Sequence, residues 1–139
     1  MNYLDSSALI DFLNSDTDSH DAARSYVESR LHRSFFTPTV VLYELYRYRA
    51  RQAGPDGVAE LASDLDWLTP VPFTEAAAQE AACIEAELTS AGTQINAMDI
   101  LIAGVVRESG GTIVTRDRDF ERVEELDVES YSGENANEE

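Results

Sequence analysis

A chain of 139 residues, 43% of them hydrophobic, suits one compact domain with an ordinary core, which excludes a two-domain protein and a disordered one. Its single cysteine, Cys83, excludes an internal disulfide and a cysteine-rich metal site, and no apolar run is long enough to span a bilayer. Twenty-seven acids stand against ten bases, all arginine, and the net charge of -17 repels nucleic acid at low ionic strength. Tyr3-Leu4 leading into Asp5 reads as the end of a first strand, and the absence of a basic segment before Asp5 argues against a secretory signal. Ser6 and Ser7 are good caps for a short helix through Ala8–Leu13. Asn14–Asp18 is turn material. Ala22, Ala23, Tyr26, Val27 and Leu31 then recur at helical spacing from Ser19 to about Arg30.

Phe35-Phe36 predicts a brief strand, and Thr37-Pro38 a helix start with proline in the first position. Val41, Leu42, Leu45 and Tyr48 carry that helix to a stop at Gly54-Pro55, and a further helix is expected from Gly57 to Trp67. Thr69–Phe73 is extended, with the edge character that two prolines impose. Thr74 caps an alanine-rich helix ending near Gly92, and Ile95–Glu108 is an apolar helix closed by Gly110-Gly111. Thr112–Thr115 is a buried strand, Asp117–Glu125 is partly helical, and Val128 lies in a last strand. Residues 1–129 form the expected domain, and Ser130–Glu139 reads as a frayed acidic tail. Short strands alternating with helices point to α/β architecture with a mainly parallel sheet.

The acids are spread through every segment, and the mean hydropathy is an ordinary -0.30. That pattern favours adaptation to molar salt over a polyanion-mimicking binding module. At about 1 M salt the Debye length is about 3 Å, so distant repulsion vanishes and local contacts decide what binds.

Four acids occupy places where a solvated acid is not expected. Asp5 and Asp117 stand at the carboxyl ends of strands, where open α/β sheets gather their ligands. Glu44 lies inside Val40–Tyr46, and Asp99 inside Ile95–Ala103, both otherwise apolar helical stretches. Singly, Asp5 or Asp117 reads as a cap or turn former, and Glu44 as the wet face of a helix. Asp99 is harder to place that way, because a carboxylate among apolar neighbours needs a partner or a metal. Together the four suggest one oxygen-rich site of the kind a hard divalent cation takes, with coordination left over for phosphate oxygens. Such an ion activates water and stabilises charge on a leaving oxygen. His20 and His32 lie on a polar segment away from the acids and read as surface residues.

Tyr3–Ile10, the internal Glu44, Met98–Ala103 and Ile113–Phe120 occur in an order that resembles the PIN-domain family over most of the chain, and the length and single-domain form resemble the VapC-type toxins of that family. The resemblance implies a three-layer α/β/α sandwich with a central, mainly parallel sheet. It implies a metal-dependent endoribonuclease using Mg2+ or Mn2+, with Asp5, Glu44, Asp99 and Asp117 as catalytic and metal-holding acids. It further implies a homodimer with a cognate antitoxin that covers the site, and RNA as substrate; the lone cysteine and the lack of a signal favour a cytoplasmic setting. Many relatives carry asparagine where Asp117 stands, with an acid just before the phenylalanine, so Asp119 is an alternative fourth acid. Asp117 is preferred because it follows the strand more closely.

Ser6 or Ser7 either orients Asp5 or only caps the helix. Arg47 and Arg51 lie three and seven residues after Glu44, and Arg116 and Arg118 flank Asp117. They are candidate phosphate contacts, with helix salt bridges as the plainer alternative. Tyr43, Tyr46 and Tyr48 read first as core or interface residues. Two rival functions are a phosphatase with Asp5 as nucleophile, weakened by the missing second acid two residues on, and a PIN-like RNA- or protein-binding module that does not cut. A PIN nuclease of RNA maturation would carry the same site.

Overall fold

The computed structural model describes residues 1–131. In chain order the elements are β1 (Asn2–Leu4), α1 (Ser6–Leu13), α2 (His20–Glu28), β2 (Phe35–Pro38), α3 (Thr39–Asp64), β3 (Leu68–Val71), α4 (Glu75–Ser90), α5 (Ala97–Ser109), β4 (Thr112–Thr115) and β5 (Asp127–Ser130), with a 3-10 turn at Arg118–Arg122. All strand pairings are parallel, in the order β3-β2-β1-β4-β5. The chain builds outward from β1 to β3 and then crosses to the other side of β1 for β4 and β5. Right-handed crossovers running in opposite directions put their helices on opposite faces of the sheet. The α1–α3 layer therefore covers one face and α4–α5 the other, giving the expected α/β/α sandwich. Among the described residues, no helix is long and apolar enough to cross a membrane.

Burial follows the strand positions. Tyr3 and Leu4 of β1, Ile113 and Val114 of β4, and Val41, Ile84, Ile102, Val106 and Phe120 are all essentially inaccessible. The edge strand β3 takes Pro70 opposite Thr37, where the missing N–H costs the sheet nothing on its open side. Helix α5 is buried almost all round, through Ile100, Ile102, Ala103, Val105 and Val106. It lies close against α4 because Gly104 has no side chain: a Cβ there would stand 2.7 Å from Ala81 Cβ and 2.8 Å from the Ala77 carbonyl oxygen. Gly104→Ala is expected to lower stability by about 1–3 kcal/mol, the usual cost of overpacking, offset in part by helix propensity. Thermal unfolding of the variant checks this.

Several local expectations shift. The cap of α1 is Asp5, whose carboxylate accepts from Ala8 N, and neither Ser6 nor Ser7, which lie inside the helix. Thr37-Pro38 belongs to β2, and α3 begins at Thr39; the Thr37 hydroxyl is buried and donates to the Leu4 carbonyl at 3.0 Å. The break at Gly54-Pro55 is real: Gly54 has φ 65, a left-handed value that favours glycine, and α3 resumes beyond it as far as Asp64. The fold also runs past residue 129. Ser130 pairs with Thr115 in the sheet, and Tyr131 is buried, so neither is tail. The rest of the expected tail, residues 132–139, lies outside the described residues.

Candidate metal centre

In a sheet ordered β3-β2-β1-β4-β5 the strand direction of travel reverses between β1 and β4. Loops leaving the two strands on either side of such a switch point diverge to opposite faces and open a crevice at their carboxyl ends. Asp5 follows β1 and Asp117 follows β4, so both acids line that crevice.

Asp5 is buried, and its oxygens are filled from α1 and from the end of β4. Its Oδ1 accepts from Ala8 N at 2.9 Å and from Ser7 Oγ at 2.8 Å, and its Oδ2 from Thr115 Oγ1 at 2.5 Å. Ser7 thus orients Asp5, while Ser6 donates to Glu44 Oε1 at 2.5 Å. Two successive serines at the start of α1 hold one site acid each. Cap and site residue are the same side chain at Asp5, so the two readings of it do not compete.

Asp99 sits in the first turn of α5, where Asn96 caps Met98 N and the helix dipole favours a negative group. Carboxylate oxygens of Asp99, Asp117 and Asp119 lie within 4.8 Å of one another. Asp117 caps the 3-10 turn by accepting from Asp119 N at 2.9 Å, and Asp119 also meets Arg122 at 3.2 Å. The turn thus brings both Asp117 and Asp119 to Asp99.

The electrostatics fit a cation. Burial pushes the Asp99 carboxyl up to about 7, helped by the charges of Asp117, Asp5 and Glu44 and by a hydrogen bond with Asp117. Burial likewise raises Asp5 to about 6 against the pull of its Thr115, Ala8 and Ser7 bonds, with Asp117 adding to the rise. Asp99 thus feels the other three sequence candidates, and Asp5 feels Asp117. Acids crowded until one is still half protonated near neutrality can gain a proton or a cation, and a donor set made wholly of carboxylate oxygens suits Mg2+ or Mn2+.

The arginines divide. Arg116 pairs with Asp11: its Nε meets Asp11 Oδ2 at 2.8 Å and its Nη2 meets Asp11 Oδ1 at 3.3 Å, while its side chain is still 47% exposed. Arg47 and Arg51 are exposed and make no ion pair among the described residues; Arg47 lies over the Tyr43 ring, 5.4 Å from its centroid. Arg118 is 81% exposed, with only a 3.8 Å approach to Glu121. Tyr43 and Tyr48 are exposed, not core. Thr115 and Asp11 are not among the site residues expected from the sequence. Thr115 carries no pattern beyond its place at a strand end. Asp11 does carry one, an acid inside the apolar run Ala8–Leu13, the same signal that marks Glu44 and Asp99.

A family model described as PIN domain matches residues 3–126. The fold is similar to that of VapBC2 from Rickettsia felis, solved bound to a promoter DNA fragment (TM-score 0.81, 22% identity, 94% of this chain and 98% of that one). DNA-bound VapBC from Salmonella typhimurium is similar to the same degree (TM-score 0.81, 23% identity, 94% and 97% covered). Mycobacterium tuberculosis VapC20, described as a sarcin-ricin-loop-cleaving toxin, matches with TM-score 0.67, 19% identity and 87% and 93% covered. No curated protein sequence matches the chain.

Proposed function

Because the chain belongs to the PIN-domain family, we propose that it is a metal-dependent endoribonuclease and the toxin of a toxin–antitoxin pair. The observation that carries this reading is the carboxylate cluster at the switch point, where Asp99 is pushed up to about 7 by burial and by three neighbouring acids. The cluster explains why the chain accepts a cost in stability at that spot. The similar fold of proteins described as VapBC complexes supports the toxin assignment.

In this reading Asp5, Glu44, Asp99 and Asp117, with Asp119 beside them, hold Mg2+ or Mn2+. The bound ion supplies positive charge against the scissile phosphate and the means to activate water. The chain's own residues do the rest. Ser7 and Thr115 keep Asp5 turned toward the crevice, and Ser6 does the same for Glu44. Arg47, Arg51 and Arg118 are the cations available to the RNA backbone. The acidic exterior is an adaptation to high salt, in which these short-range contacts outweigh net repulsion.

The partner proposal rests on a groove of about 380 Å³ between α1 and α3, with apolar walls from Ile10, Leu13, Leu45, Tyr48 and Leu61 and polar ends at Arg49 and Asp64. Ile10, Leu13 and Tyr48 are large and exposed there, which suits the apolar face of an antitoxin helix. The full assignment is a cytoplasmic homodimer held inactive by that antitoxin.

The test is incubation of purified protein with total cellular RNA in molar KCl, with Mn2+ or with EDTA. Discrete fragments with Mn2+ and none with EDTA are expected. Folded protein that takes up Mn2+ and leaves all RNA intact would favour a binding module.

A further inference from the structure

Asp11 has no accessible surface, and it is not part of the carboxylate cluster. It lies six residues after Asp5 on α1, about 9 Å along the helix. A buried carboxylate is costly unless its oxygens are filled. Here they are filled from two distant places: Arg116 in a two-nitrogen grip at 2.8 and 3.3 Å, and the Tyr131 hydroxyl at 2.5 Å. Tyr131 is the residue after β5, and β5 pairs with β4 as far as Ser130 opposite Thr115. One carboxylate therefore ties α1 to the loop after β4 and to the end of β5.

The loop it grips is the one that carries the site. Arg116 stands between Thr115 and Asp117. The Ser7 hydroxyl spends its one proton on Asp5 and accepts from Arg116 N at 3.1 Å. The Thr115 hydroxyl spends its proton on Asp5 too, and accepts from Asp117 N at 2.9 Å. Two consecutive backbone N–H groups of the loop thus end on the two hydroxyls that aim Asp5. A slide of the loop would move Asp117 and break the orientation of Asp5 in one motion. The loop's hold on α1 is the Arg116 side chain, paired with Asp11, whose Oδ2 also accepts from the Tyr131 hydroxyl.

We propose that Asp11, Arg116 and Tyr131 form a positioning clamp that sets where Asp5 and Asp117 stand, and hence how tightly the cluster binds a divalent cation. They are positioning residues, since none of them touches the cluster's carboxylates. The proposal rests on the metal-site reading above. A buried ion pair is often replaceable by apolar packing with no loss of stability. Its use here is to fix a geometry.

The experiment compares wild type with Tyr131→Phe and Asp11→Asn, and uses Gly104→Ala as a destabilised control in the α4–α5 contact. Mn2+ affinity is measured by calorimetry, well below each melting temperature, and RNA cleavage is measured in parallel. Both clamp variants are expected to bind Mn2+ about tenfold more weakly, the lower end of what loss of an outer-shell partner costs. Their kcat falls with little change in KM, and Gly104→Ala binds Mn2+ like wild type. Wild-type Mn2+ affinity in Tyr131→Phe overturns the clamp, and that variant decides alone if Asp11→Asn does not fold. An equal loss in Gly104→Ala overturns it as well, because general loosening would then explain the effect. If wild type binds Mn2+ and cuts no RNA, the nuclease reading fails while the clamp is still judged on affinity. A wild type that takes up no Mn2+ overturns both.

Discussion

Asp99→Asn cuts RNA at least ~100-fold more slowly than wild type, the scale on which preorganised charge at a reacting centre is worth, and melts no lower. The two halves of this result have one cause. Burial and the charges of Asp117, Asp5 and Glu44 push Asp99 up to about 7, so ionising it in the folded protein is work that the unfolded chain does not do. The amide keeps the shape and removes the charge. It loses the interaction with the α5 dipole, worth about 0.3–1 kcal/mol. Against this stands a shift of which even one pKa unit is about 1.4 kcal/mol. A net gain of ~1 kcal/mol raises the melting temperature by about 4 °C. The checks are a cleavage time course with Mn2+ and a calorimetric scan of both proteins without metal. Full activity in the variant would remove Asp99 from the site. Activity lost together with stability would make Asp99 a structural residue.

Without divalent metal, the protein loses stability as pH rises from about 4 to about 7. The sign follows from the direction of the shifts. Asp5 is raised to about 6 and Asp99 to about 7, both from 3.8, so in this window the folded state keeps protons that the unfolded state has released. Stability therefore falls with pH, having been fully present below the unfolded value. Asp11 contributes with the opposite sign and at lower pH: burial would raise it, but the Arg116 and Tyr131 bonds hold it below the usual range. Its share is lost only in more acid solution. Mn2+ reverses the fall. At a hundredfold excess over its dissociation constant, a ligand of the folded state adds about 2.7 kcal/mol, roughly 10 °C in a domain of this size. Melting curves from pH 4.5 to 8, in molar KCl to screen general repulsion, test this with Mn2+ and with EDTA. The metal's effect should be large at pH 8 and small at pH 4.5, where Asp5 and Asp99 are protonated. An equal effect at both would place the ion elsewhere.

How far the primary structure reaches is clearest residue by residue. β4 is readable to the residue, because Thr112–Thr115 is a short β-branched run with glycine before it and charge after it. Thr74 and Gly110 mark the start of α4 and the end of α5 by capping chemistry that depends on nearest neighbours alone. Glu44 and Asp99 stand out as acids in apolar helical runs, a purely local contrast. The misread boundaries share a cause. Thr37-Pro38 has the local form of a helix start, but the Thr37 hydroxyl finds the Leu4 carbonyl and the residues pair with β3 as strand. Tyr131 follows an acidic stretch and precedes an acidic tail, so nothing local says it is buried on Asp11.

The residue types of this protein, the period of its apolar positions and the acids out of place among them determine an α/β domain with an oxygen-rich site. They do so because helix period, capping and the cost of burying charge are short-range effects. The tertiary structure alone decides that Asp117 and Asp119 both reach Asp99, that Ser6 bonds to Glu44 while Ser7 bonds to Asp5, and that Arg116 pairs with Asp11. Those pairings span separations of up to 105 residues. They follow from the order of strands in the sheet, which no local pattern encodes.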